Sequence, residues 1–165
     1  MIGFFKSLFG KKVDQQNASS NFNDQLSEVY NPTNEHDRVG LALLVGLQSQ
    51  LGLLNYKIGE LPPHAPFTSD KCRGALYGLA CGILISEHVE LTKETLEDTL
   101  IAAFVTVYGD EHGPALAIQT AQDVKDEVPD VLQAGDWAIE DVKGVYASGG
   151  NTSMAAFYLA ATGMI

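Results

Sequence analysis

Apolar residues are densest over residues 69–88, "SDKCRGALYGLACGILISEH", where they fall on every side of a helical wheel. A helix that is apolar all round belongs in an interior. Gly74, Gly78 and Gly82 recur at i, i+4 and i+8 and leave a bare stripe along one face. Each glycine costs about 1 kcal/mol of helix propensity relative to alanine, so a closely packed neighbour must offset the stripe. Thr68 or Ser69 supplies the N-cap. This helix is the expected centre of the fold.

The segments around it repeat with helical period. Asn31-Pro32 suits a cap followed by proline at the first helical position, and the helix is predicted to run to about Tyr56. Leu43, Leu44, Leu47, Leu51 and Leu54 share one face, widened by Leu41, Val45 and Leu53. "GELPPHAP" (59–66) is a loop. A third helix is predicted from Thr92, with Leu91 and Leu96 as a hydrophobic staple and Leu96, Leu100, Ala103, Phe104 and Val107 buried. "YGDEHGP" (108–114) has the composition of a turn. Pro114 then opens a helix through Ala117, Ile118, Ala121 and Val124 that stops before Pro129. Another spans about Asp130 to Ala147, with a break at Gly135 and re-capping by Asp136 as an alternative. "SGGN" (148–151) is a loop, and an uncharged helix at 152–164 places Met154, Phe157, Tyr158 and Ala161 on a buried stripe.

No segment alternates with period two over five residues between turn signals. The expected fold is therefore all-α: a single globular bundle of five or six helices around the glycine-striped helix, formed by residues 31–165. Residues 1–12, "MIGFFKSLFGKK", are a separate amphipathic segment. On a helical wheel Met1, Ile2, Phe4, Phe5, Leu8 and Phe9 form one arc. Gly3, Lys6, Ser7, Gly10 and Lys11 form the other, and Lys12 alone falls out of place. Residues 13–30, rich in Asn, Gln and Ser, have the composition of a polar tether; within them Phe22, Leu26, Val29 and Tyr30 suit one short docking turn.

Charge sharpens this division. The 165 residues carry a net charge of −11. Residues 1–12 hold three lysines and no acid, which leaves seven basic residues against 21 acidic ones elsewhere, a net of −14. An acidic surface repels phosphates, so no nucleic-acid partner is expected. No stretch has about 18 uninterrupted apolar residues, so no membrane span is expected; the nearest approach, 40–55, is interrupted by Gln48, Ser49 and Gln50. The first residues lack the layout of a secretory signal, and Ile2 in place of glycine rules out myristoylation. Cys72 and Cys81 are nine residues apart, about half a turn out of phase on a helix, and no C-x-x-C occurs, so a reducing compartment is the simpler reading.

The residues that could carry chemistry are few. Glu35-His36, Glu87-His88 and Glu111-His112 pair two metal-ligand types, but neighbours on a helix diverge, and none of these pairs has a helical ligand partner at i+3 or i+4. Cys72, between Lys71 and Arg73 near a helix start, has the sequence context of a stabilised thiolate, while Cys81 in "LACGIL" is a core residue. "GDEHGP" and "ASGGNTS" offer backbone N–H groups to an anion but lack the P-loop lysine and a preceding strand. No metal, cofactor or catalytic residue is assigned.

The leading expectation is a non-enzymatic, cytoplasmic protein-binding module of adaptor, inhibitor or immunity type, whose acidic surface meets another, basic protein. Ile2, Phe4, Phe5, Lys6, Leu8, Phe9, Lys11 and Lys12 are its candidate contact residues, packed on the body, in a partner's groove or on a membrane surface. The alternatives are a small helical enzyme using a Glu/His-bound metal or Cys72, and a peripheral membrane protein anchored by residues 1–12.

Overall fold

The computed structural model describes residues 34–165. The expectations for residues 1–12, for the tether and for the Asn31-Pro32 cap lie outside the described residues. Five helices make up the fold, and no strand occurs among the described residues: α1 (Glu35–Leu53), α2 (Asp70–Ser86), α3 (Lys93–Lys125), α4 (Pro129–Ala147) and α5 (Ala156–Ala161). The protein is an all-α bundle.

Local chemistry sets most of the helix ends. Asn34 caps α1, its side-chain oxygen accepting the Asp37 N–H at 2.8 Å. Ser69 caps α2 through the Cys72 N–H, and Thr92 and Thr95 cap α3 reciprocally. At the other end of α2, His88 takes a left-handed backbone conformation (φ 58°). Its N–H bonds to Ile85 O and the Val89 N–H to Leu84 O, which satisfies two carbonyls that the helix leaves open. Asn55 and Glu127 close α1 and α3 in the same way.

α2 is the hub, touching each of the other four helices. Cys72, Ala75, Leu76, Leu79, Ala80, Ile83 and Leu84 are all buried on it. Its glycine stripe faces α4, its most extensive partner. A Cβ on Gly74 would lie 2.2 Å from Val131 O, and one on Gly78 2.0 Å from Gly135 O. Over these turns the two helices meet backbone to backbone, which only glycine on α2 permits.

Several sequence expectations change. "YGDEHGP" is not an open turn: helix continues on both sides of one non-helical residue, Gly109 (φ 77°), and Pro114 lies inside the second arm of α3. Two contacts hold this sharp bend. Gly113 lies so close to the first arm that a Cβ there would meet Val105 N at 2.6 Å. The carbonyls of Thr106 and Val107, left open where the first arm ends, accept the N–H groups of Gly59 (2.7 Å) and Leu61 (3.1 Å). α4 runs through Gly135 without a break. α1 stops at Leu53, and α5 is only six residues long. Val45, Leu53 and Ile118, assigned to apolar faces, are exposed, as is half of Leu91, the outer member of the expected staple.

α5 has no side-chain cap of its own and borrows two. Asp141 Oδ2 accepts the N–H groups of Ala155 (2.8 Å) and Ala156 (3.0 Å). The buried Gln50 of α1 accepts the Tyr158 N–H through Oε1 (3.0 Å) and donates through Nε2 to Gly46 O (3.0 Å). α5 is thus held by α4 and α1 rather than by its own sequence.

Candidate functional site

The three Glu-His pairs occupy three separate places. Glu35 and His36 are exposed in the first turn of α1, and Glu111 and His112 begin the second arm of α3, their side chains 3.9 Å apart. Glu87 caps the C-terminus of α2, with His88 turned outward. Among the described residues no three His, Cys, Asp or Glu side chains are grouped as a metal site requires.

The surroundings of Cys72 oppose the thiolate that its sequence context favours. The side chain is fully buried, and its Sγ donates to Pro66 O at 3.5 Å. Loss of water pushes its pKa above the ordinary 9.0, with the Ser69 contacts pulling weakly the other way. Arg73 does not serve the sulfur. Its buried guanidinium bridges Asp70 on its own helix and Asp123 near the end of α3. Cys81 is also buried and raised by burial. Tyr108, with its hydroxyl bonded to Phe67 O at 2.6 Å, is raised for the same reason.

These groups give an alkaline signature. Cys72, Cys81 and Tyr108 stay neutral in the fold, whereas the unfolded chain releases their protons near the ordinary values of 9.0 and 10.0. Above those values the unfolded state binds fewer protons, so stability must fall as pH rises. Their contribution is fully present below pH 9.0 and drains away above it, at up to ~1.4 kcal/mol per pH unit from each group. The urea midpoint is expected to hold steady at neutral pH and to drop steeply above about pH 9–10. A flat profile through that window would mean that the three groups are not buried.

The feature with the form of a binding surface is on the outer side of α1. Arg38, Leu41, Ala42 and Val45 follow one another at three- and four-residue intervals on one face. With Glu87 from the end of α2 they line a shallow groove of about 330 Å³. Its floor is apolar, and Val45 is 59% exposed. One end is polar and rigid: Glu87 accepts Arg38 Nε at 2.9 Å and the Tyr146 hydroxyl of α4 at 2.6 Å. Burial, and then the Glu87 carboxylate, push the Tyr146 phenol well above its ordinary range, so this end neither gives up nor takes up a proton near neutrality. The groove is built to hold a surface, not to move protons.

The sequence reading singled out Glu87 as a possible metal ligand; the structure makes it a brace between α1, α2 and α4. It missed the groove because Leu41 and Val45 read as members of the core face. A legible signal existed: Leu43, Leu47 and Leu51 already complete a buried stripe, and Val45 is 200° away from Leu43 on the wheel, about the opposite side.

Compared with protein-family models, with curated proteins and with solved structures, the chain matches none.

Proposed function

We propose that this chain is a non-enzymatic, intracellular protein-binding module, of adaptor, inhibitor or antagonist type, that engages a basic partner across the outer face of α1. The observation that carries the reading is the apolar groove floor of Leu41, Ala42 and Val45, open on a helix whose opposite face is core. Acidic groups stand beside it. Glu35 and Asp37 lie in the first turn of α1, and Glu87 forms one wall. A partner with an apolar ridge flanked by Lys or Arg would bury the floor and meet these carboxylates, which steer its approach. Two free, buried cysteines fit a reducing compartment.

The test is affinity capture at low salt, with the wild-type chain and the Val45→Glu variant as baits. Val45 is exposed, so the substitution leaves the fold within about 0.5 kcal/mol of wild type. The expected result is a stoichiometric basic partner recovered by the wild type, released by salt and lost with Val45→Glu. Recovery of no partner, or equal recovery by both baits, would contradict the reading.

A further inference from the structure

We infer that the α1 groove is occupied in the free protein by the chain's own residues 1–12, a built-in basic amphipathic ligand that an external partner must displace. The inference deepens the binding reading by naming the ligand class, a basic amphipathic helix, and it makes the site self-regulated.

Position is the first argument. The first 33 residues join the described body at Asn34, at the start of the helix that carries the groove. At 1.5 Å per residue, Leu41 and Val45 lie about 10–17 Å along α1 from that junction. Residues 13–33, with their polar composition, have a root-mean-square span of about 25 Å. The tether therefore reaches the groove without being stretched and holds residues 1–12 near it at a millimolar effective concentration.

Complementarity is the second. The groove presents an apolar floor beside Glu35, Asp37 and Glu87. Residues 1–12 present Phe4, Phe5, Leu8 and Phe9 on one arc, with Lys6 and Lys11 on the other and Lys12 at the end. Phe5 and Phe9 are spaced i, i+4, as are Leu41 and Val45. The isolated segment contains two glycines and is a poor helix, so burial against α1 supplies the stabilisation it lacks. The other apolar cluster in the chain's first 33 residues, Phe22 to Tyr30, carries Asp24 and Glu28 and no base, so it shares the charge of the body.

The experiment uses the full chain. Ser7→Cys places a thiol on the polar arc for a nitroxide label, while Cys72 and Cys81, at 0% and 6% exposure, are shielded from the reagent. In ¹⁵N spectra, the amides of Arg38–Val45 are expected to lose intensity several-fold relative to the reduced label, while exposed α4 residues such as Glu140 and Lys143 keep theirs. Adding Phe5→Ser with Phe9→Ser, or Val45→Glu, should abolish the effect. Broadening spread evenly over the surface would overturn the proposal. So would broadening that survives the phenylalanine substitutions, which would assign the groove to residues 22–30. Broadening of an unlabelled ¹⁵N chain by a labelled ¹⁴N chain to the same extent would assign it to a second copy. No partner is present in this experiment, so its failure leaves the capture result to stand or fall by itself.

Discussion

Gly78→Ala is expected to destabilise the protein by about 3 kcal/mol, the upper end of the usual cost of overpacking a core. The added methyl would sit 2.0 Å from Gly135 O and 2.7 Å from Gly135 Cα, and these are backbone atoms that no rotamer change can move aside. The penalty must also outweigh the gain of about 1 kcal/mol in helix propensity that alanine brings. Gly135→Ala, on the facing helix, is expected to do the opposite. Its Cβ would meet Gly74 O at 3.5 Å and Tyr77 Cδ1 at 3.6 Å, ordinary contact distances. Alanine there should raise stability by about 0.5–1 kcal/mol. Urea denaturation of the pair reads the asymmetry directly. Equal effects from the two substitutions would mean that α2 and α4 do not meet along the stripe.

Arg73→Ala is the second large effect, expected to cost about 3 kcal/mol. The guanidinium is 5% exposed and ties α2 to the end of α3 through Asp123, with Asp70 completing the bridge. Truncation removes a buried stem and leaves two carboxylates without their cation. These carboxylates are still reached by water, more so at Asp70, which keeps the cost at the lower end of the range for a broken buried pair. Arg73→Met restores most of the packing and should recover a clear part of the loss. The half-exposed Asp70 contributes least, so Asp70→Ala is expected to cost under about 1 kcal/mol. An Arg73→Ala protein as stable as the wild type would show that the bridge does not form.

The hub was legible in the sequence because its evidence is local. A segment apolar all round with glycines every fourth residue has few alternatives to a buried helix with a close neighbour, and that is what α2 is. The caps at Ser69 and Thr92 were legible for the same reason. What escaped was decided by contacts between distant residues. Gly-Asp-Glu-His-Gly-Pro has the composition of a loop, yet it stays helical around a single bent residue because Gly113 packs on Val105 and the 59–61 loop satisfies the open carbonyls. α5 begins where Asp141 and Gln50 place acceptors, and Gln50 is 108 positions from the amide it caps. Gln50 had read only as an interruption of an apolar run; its place beside Leu47 and Leu51 marks it as a buried polar side chain that requires partners. Cys72 shows the reverse error, since two flanking cations suggested a thiolate while burial, invisible in the local sequence, decides its protonation.

The same contrast applies to the candidate site. The acidic body and the basic amphipathic end were evident from charge alone. The groove arises because α1 offers more apolar surface than the core takes up, so that Leu41, Ala42 and Val45 are left beside the Arg38–Glu87–Tyr146 brace.

Hydrogen exchange on the chain with and without its captured partner tests the binding surface most directly. Protection is expected over Arg38–Val45 and at the end of α2 around Glu87, with the α3 and α4 surfaces unchanged. Protection confined to those other helices, with α1 exchanging as in the free protein, would contradict the assignment of the groove as the binding surface.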